Sequence, residues 1–320
     1  MKKLIKQMLS PILRSYDVRI ERNKQDIDAL YKLLYNQIHD VDNALPLAAT
    51  QTENAFGFQW KELREGEIML SDKWFNENLT SIITEHELLI DKEWFKGKDV
   101  IDCGCGGGRW SYGLAKLGAN ITAVDVNQSA IDATKDELKN INDVKKEFIV
   151  TPLEELSSHL PAGKKYDLAW SWGVLPFVTS FTKSFQQVMD TVKDGGFIYV
   201  NIYGRETLNY EQDIEVFKNR VRYNTLTTWE EKEKFLVEKA GGDRTKIHQN
   251  HDLFSPLLNR RFEYSYIKKL LEDNGFTDVI RTINNTELYV RAVKKAINPA
   301  DKPMVHHTPQ KELWFARYRK

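Results

Sequence analysis

The sequence predicts a doubly wound α/β fold: a mostly parallel seven-stranded sheet ending in a C-terminal β-hairpin and preceded by a helical extension. Two patterns carry this expectation. From Asp99 onward, short apolar runs alternate with stretches of helical periodicity, as a parallel sheet with crossover helices requires. Directly after the first run comes a glycine cluster, GCGGG from Gly104 to Gly108, where the backbone can pass close to a ligand at a strand's carboxyl end.

The elements follow in order. The opening MKKLIKQMLSPILRSY places Leu4, Ile5, Met8, Leu9, Ile12 and Leu13 among Lys2, Lys3, Lys6 and Arg14. Such a stripe suits an anionic membrane surface or, more ordinarily, another protein face. It is too short to span a bilayer and lacks a signal-peptide cleavage site. From Tyr16 to Leu45, Ile20, Ile27, Leu34 and Val41 recur at heptad spacing, which reads as a long helix or short coiled coil, packing within the chain or joining two copies. Residues 1–45 are therefore read as an N-terminal helical extension and 46–295 as the core domain. The boundary lies near Pro46, where an aromatic segment with Phe56, Phe58, Trp60, Trp74 and Phe75 begins.

DVIDC, NITAVDV, EFIVT, DLAWSW and GGFIYVNIY read as strands one to five. Helices are expected over 109–116, 128–139, 152–159 and 184–192. The charged segment 204–251 reads as an insertion capping the substrate, and its EEKEK run as a solvated helix face. SYIKKLLEDNGF is a helix stopped at Gly275, and TDVIRTINNTELYVRAVKK two strands joined around Asn284 and Asn285. The tail 296–320 mixes basic residues with Trp314, Phe315 and Tyr318 and is expected to dock on protein.

Composition removes several functions. The chain has 320 residues, with 46 basic and 46 acidic side chains, so it lacks the broad positive footprint of a nucleic-acid binder. Its two cysteines, Cys103 and Cys105, exclude a disulfide scaffold and point to a reducing, cytoplasmic compartment, with peripheral membrane contact through the N-terminal stripe as a further option. A CxC pair without other convergent ligands does not make a zinc site, and His306 and His307 have no companions at metal spacing; no metal is expected.

The glycine loop does not suit a nicotinamide dinucleotide, because Arg109 stands where the third glycine of G-x-G-x-x-G belongs. Instead Asp102 and Asp125 end two successive apparent strands on either side of the loop. A carboxylate at Asp125 can accept hydrogen bonds from two adjacent ribose hydroxyls, while amides at the following helix start can hold a small carboxylate. This set suits a ligand with a ribose and an ammonium group.

At these residues the sequence resembles the class I S-adenosylmethionine-dependent methyltransferases, over about Phe56 to Lys295. The resemblance implies a Rossmann-like sheet and S-adenosyl-L-methionine as cofactor. Asp102 with Gly104, Cys105, Gly106, Gly107 and Gly108 would hold the methionine part, and Asp125 the ribose. Val126 would pack on the adenine, bordered by Thr151, Pro152 and Leu153. The family often has an acid near Thr151 for the adenine amine, which this chain lacks. SWGVL, with Ser171 and Trp172, resembles the motif beside the reacting methyl group, and VKDGGFIYV the turn into the fifth strand. Where many relatives continue GVL with histidines, this chain has Pro176 and Phe177.

Methyl transfer needs chiefly alignment of nucleophile, carbon and sulfur, and an alcohol acceptor favours a nearby base. His251 is the first candidate, followed by His248 and Asp252. Trp60, Tyr203 and Asp252 are candidate substrate contacts, and Trp172 could face the sulfonium through cation–π attraction. The expected activity is O- or N-methylation of a small molecule or sugar, with cell-surface glycan assembly as one setting. The alternatives are a non-catalytic cofactor-binding scaffold and an RNA methyltransferase.

Overall fold

The computed structural model describes residues 46–205, 210–243 and 246–295, all within the compact unit Asp42–Lys320. The expected N-terminal extension with its heptad seam and the C-terminal tail lie outside the described residues.

The sheet has seven strands in the order β3-β2-β1-β4-β5-β7-β6. These are β1 (Asp99–Cys103), β2 (Asn120–Asp125), β3 (Lys146–Val150), β4 (Tyr166–Trp172), β5 (Val192–Ile202), β6 (Phe276–Asn284) and β7 (Leu288–Lys294). The first five pair in parallel, and β7 enters antiparallel to both β5 and β6. The order reverses between β1 and β4, which opens a crevice at the carboxyl ends of those strands, the usual ligand position in such sheets.

Alternation along the central strands divides the core in two, since successive side chains of a strand face opposite sides. Val100, Trp170, Phe197 and Tyr199 pack on one face with Phe75, Leu79, Trp110, Leu114 and Ile131. Ile101, Ala169, Ile198 and Val200 pack on the other with Phe185, Val188, Ile267 and Leu271. The first face is covered by α3 (Lys73–Ser81), α4 (Arg109–Lys116) and α5 (Gln128–Leu138), which supply those helical residues. The second is covered by α6 (Leu156–His159), α7 (Phe181–Asp190) and α11 (Tyr264–Asp273).

Ahead of β1, α1 (Pro46–Phe58) passes through a π-helical turn at Gln59–Leu63 into α2 (Glu65–Ser71). The predicted helix over 152–159 resolves into a 3-10 turn, Leu153–Glu155, and the short α6. The fifth strand begins at Val192, three residues before the expected Gly195.

After β5 the insertion forms α8 (Tyr210–Thr225), α9 (Trp229–Lys239) and α10 (Ile247–Phe254), extending beyond the expected end at His251. Tyr223, Phe235, Leu236 and Phe254 give it a small apolar cluster of its own. In the EEKEK run, Glu231 completes a capping box with Thr228 at the start of α9, satisfying otherwise orphaned amides. The insertion is tied to α1: the Leu258 N–H donates to Thr52 Oγ1 at 3.0 Å, and Gln51 Nε2 donates to the Ser255 carbonyl at 2.9 Å.

Candidate active site

The loop after β1 turns back on the sheet through Gly104, whose φ of +89° belongs to glycine and whose missing side chain leaves room for Val174. The Gly104 and Cys105 N–H groups donate to the Val124 carbonyl at 2.7 and 2.9 Å, binding the loop to the end of β2. Above it lies the segment following α1: a Cβ on Gly106 would meet the Trp60 indole at 2.8 Å, and one on Gly66 would run into the Gly107 carbonyl. The glycines thus serve a double approach, of loop to sheet and of the overlying segment to loop.

Asp125 closes β2 beside this loop. The Gly106 N–H donates to its Oδ2 at 3.0 Å and the Asn127 N–H to its Oδ1 at 2.9 Å. Burial pushes its carboxyl up to about 6 against these backbone donors. Asp102 is buried deeper. Ser111 Oγ donates to its Oδ2 at 2.6 Å, and burial pushes its carboxyl up to about 7, opposed by the Ser111 bond, reinforced by Asp125 and opposed by Arg109.

Together these elements surround a cleft of about 1090 Å³ including its open mouth. Its wall contains most of the predicted cofactor set: Gly104, Cys105, Gly106, Gly107, Asp125, Val126, Pro152, Leu153 and Trp172. The substrate candidates Trp60, Tyr203 and Asp252 share it. Val126 remains 37% exposed, an apolar surface offered to a ligand beside Asp125.

Five predicted residues are not on the wall. Asp102 lies beneath the loop, and Gly108, at φ +83°, turns the loop into α4. Ser171 is fully buried, facing away while its neighbour Trp172 faces the cleft. His251 is 2% exposed; its Nδ1 lies 3.3 Å from Gln59 Oε1, and its ring packs against Phe58 and Tyr223. His248 is also buried in the insertion. His251 is therefore not on the cleft wall, whereas its neighbour Asp252 is.

The Trp172 face is taken by Arg109, whose guanidinium lies 5.0 Å from the ring centre and 5.5 Å from that of Trp110. Cys103 and Cys105 are free and buried, burial pushing both thiols up, and Thr134 Oγ1 donates to Cys105 Sγ at 3.3 Å. Among the described residues no three His, Cys, Asp or Glu side chains converge as a metal site would require.

Sequence reasoning missed several wall residues: Thr52, Glu53 and Phe56 from α1, Arg109 and Asn127 at helix starts, and Glu154, Phe177 and Thr179 from loops after β3 and β4. Phe56 meets Phe177 edge-on at 4.8 Å, and Phe177 meets Tyr203 at 5.4 Å, giving a continuous aromatic side. Glu53 and Glu154 share the cleft; burial and then Glu154 raise the Glu53 carboxyl, while Glu154 accepts the Ser180 N–H at 2.7 Å. Arg260, 1% exposed, fixes the loop carrying Phe177. Its guanidinium donates to the Val178 and Thr179 carbonyls, and its own N–H donates to the Pro176 carbonyl at 3.0 Å.

The residues present fit S-adenosylmethionine. The glycine loop gives close backbone approach, Asp125 offers hydroxyl acceptors, and Val126 offers an apolar face. A family model described as a methyltransferase domain matches residues 100–196. The ubiquinone biosynthesis O-methyltransferase of Coxiella burnetii is 30% identical over 187 residues, covering 51% of this chain and 70% of that protein. The mitochondrial ubiquinone biosynthesis O-methyltransferase of Schizosaccharomyces pombe is 31% identical over 133 residues, covering 41% of this chain and 47% of that protein. The Rickettsia akari protein of the same name is 26% identical over 175 residues, covering 55% and 62%.

Proposed function

The chain belongs to the class I S-adenosylmethionine-dependent methyltransferases, and from that premise we propose that it methylates a hydroxyl oxygen on a small, ring-bearing acceptor, with Asp252 receiving the hydroxyl proton. The observation that carries this reading is the aromatic side Phe56, Phe177 and Tyr203 on the same cleft as the Asp252 carboxylate. Relatives named for O-methylation in ubiquinone biosynthesis support oxygen as the receiving atom.

S-adenosylmethionine supplies a methyl carbon activated by a sulfonium. The chain's part is to hold and exclude. Asp125 and the glycine loop would hold the ribose and methionyl parts, Val126, Pro152 and Leu153 the adenine, and Trp60 with Phe56 would cover the reacting groups from water. The Asp252 carboxylate would take the proton of the acceptor hydroxyl as that oxygen receives the methyl group the bound cofactor would supply, the cofactor keeping the electrons of its carbon–sulfur bond. A sugar hydroxyl, including one in a cell-surface glycan, presents the same chemistry to Asp252; the aromatic side favours a flatter, more apolar ring. Phosphate-bearing acceptors such as RNA are disfavoured by a wall that carries Glu53, Asp125, Glu154 and Asp252.

A panel of phenols, aliphatic alcohols and monosaccharides, assayed with labelled S-adenosylmethionine, tests the reading. Phenols should be the best acceptors. Asp252→Asn should lower turnover by about 10² to 10⁴, the usual share of a positioned base, and leave affinity for S-adenosylhomocysteine unchanged. Methylation confined to amines, or full turnover by Asp252→Asn, would contradict it.

A further inference from the structure

We propose that the buried Gln59–His251 pair joins the cofactor half of the cleft to the helix that carries Asp252, which makes His251 a positioning residue. The inference deepens the proposed function and rests on its cofactor and on its choice of Asp252. Each member of the pair has a chain neighbour on the cleft wall: Trp60 follows Gln59, and Asp252 follows His251. The Trp60 indole lies against Gly106 of the glycine loop, and the Gly66 backbone lies against Gly107. Whatever settles on that loop therefore bears on the π-helical turn Gln59–Leu63 between these two contacts.

Gln59 is fully buried and His251 nearly so, with Nδ1 3.3 Å from Oε1. An amide oxygen only accepts, so Nδ1 carries the proton and donates. The imidazole is steered from two sides, stacked on Phe58 at 5.9 Å and met edge-on by Tyr223 of α8 at 6.1 Å. Apolar side chains could fill the same space, but they would tolerate sliding. A buried hydrogen bond demands one register between the elements it joins, because a shift leaves polar groups unmatched away from water. The ties from Gln51 and Thr52 reach Ser255 and Leu258, past the end of α10. The Gln59 bond reaches α10 itself, beside Asp252. Gln59 also opens a π-helical turn, a local departure from α-helix frequent at functional sites. Cofactor that steadies Trp60 on the loop would thus steady α10 through Gln59 and His251. The carboxylate of Asp252 is then set when the methyl donor is in place.

Hydrogen exchange of the full chain, read with and without saturating S-adenosylhomocysteine, tests the link and needs no acceptor. In wild type the ligand should slow exchange at the glycine loop and over 59–66. Over α10, residues 247–254, it should slow exchange by about fivefold, the worth of one hydrogen bond between neutral groups. His251→Phe keeps a ring against Phe58 and Tyr223 but has no donor; it should retain the slowing at the loop and lose it over 247–254. His251→Asn gives up the ring and brings an amide N–H near the place of Nδ1; it should restore the slowing over 247–254. Slowing there that persists in His251→Phe, or that is missing from wild type while the loop is protected, overturns the coupling and leaves the cofactor assignment standing. Failure of His251→Asn to restore it would mean that the ring, not the hydrogen bond, holds α10, and overturns the coupling as well. No slowing at the loop in wild type would contradict the cofactor assignment and the inference with it.

Discussion

Asp125 accepts two backbone N–H groups and still faces the cleft, so its ionised form has work to do once a ribose arrives. Because burial raises its carboxyl to about 6, a ligand that needs the carboxylate should expel a proton on binding. Affinity for S-adenosylhomocysteine should therefore rise as pH increases through about 6, measured by calorimetry in buffers of different ionisation heat. Asp125→Ala should cost about 1.5 to 3 kcal/mol of binding and flatten that profile. Asp102 gives a stability counterpart. Its carboxyl is raised from 3.8 to about 7, so the folded state holds the proton more tightly than the unfolded chain. That contribution is fully present below about 3.8 and lost as pH rises through about 7. Thermal melts of Asp102→Asn should show a shallower fall in stability between those limits than wild type; an identical slope would mean that Asp102 ionises freely. The acids and glycines were legible in the sequence because strand ends and loop spacing announce them. The choice between His251 and Asp252 was not, since neighbours on a helix point about 100° apart and no motif fixes which one faces inward. Ser171 and Trp172 were similarly indistinguishable until strand pleating assigned them opposite sides.

At the scale of elements, the strands, their order along the chain and the final hairpin could be read from apolar runs and turn residues. The path of α1 across the cleft could not, because Thr52, Glu53 and Phe56 reach the wall through tertiary packing that carries no local pattern. The same holds for the Arg260 clamp, which joins the end of the insertion to the loop after β4 across 81 and 82 positions of chain. Arg260→Ala would remove the guanidinium donors to the part-buried Val178 and Thr179 carbonyls, at roughly 1 kcal/mol each. Hydrogen exchange should accelerate over residues 176–180 and remain unchanged at the glycine loop. Unaltered exchange over 176–180 would show that the aromatic side is held by other contacts.

For the whole molecule, the described fold, 46–205, 210–243 and 246–295, carries all the cleft residues named above, and no helix among those residues is long and apolar enough to cross a membrane. Removing residues 1–45 should therefore leave cofactor affinity intact, and sedimentation of full-length and shortened chains will show whether the heptad seam joins copies. A smaller assembly after truncation supports the seam; identical monomers contradict it. The fold class was readable because alternating strands and helices permit few arrangements, whereas the acceptor is set by side chains drawn from α1, the insertion and three loops, whose meeting no single segment encodes. The central claim is that the cleft between β1 and β4 is a methyl-donor site, and titrating the full chain calorimetrically with S-adenosylhomocysteine and, separately, with NAD tests it most directly. The account predicts saturable one-to-one binding of S-adenosylhomocysteine and none of NAD, while NAD binding without S-adenosylhomocysteine binding would contradict it.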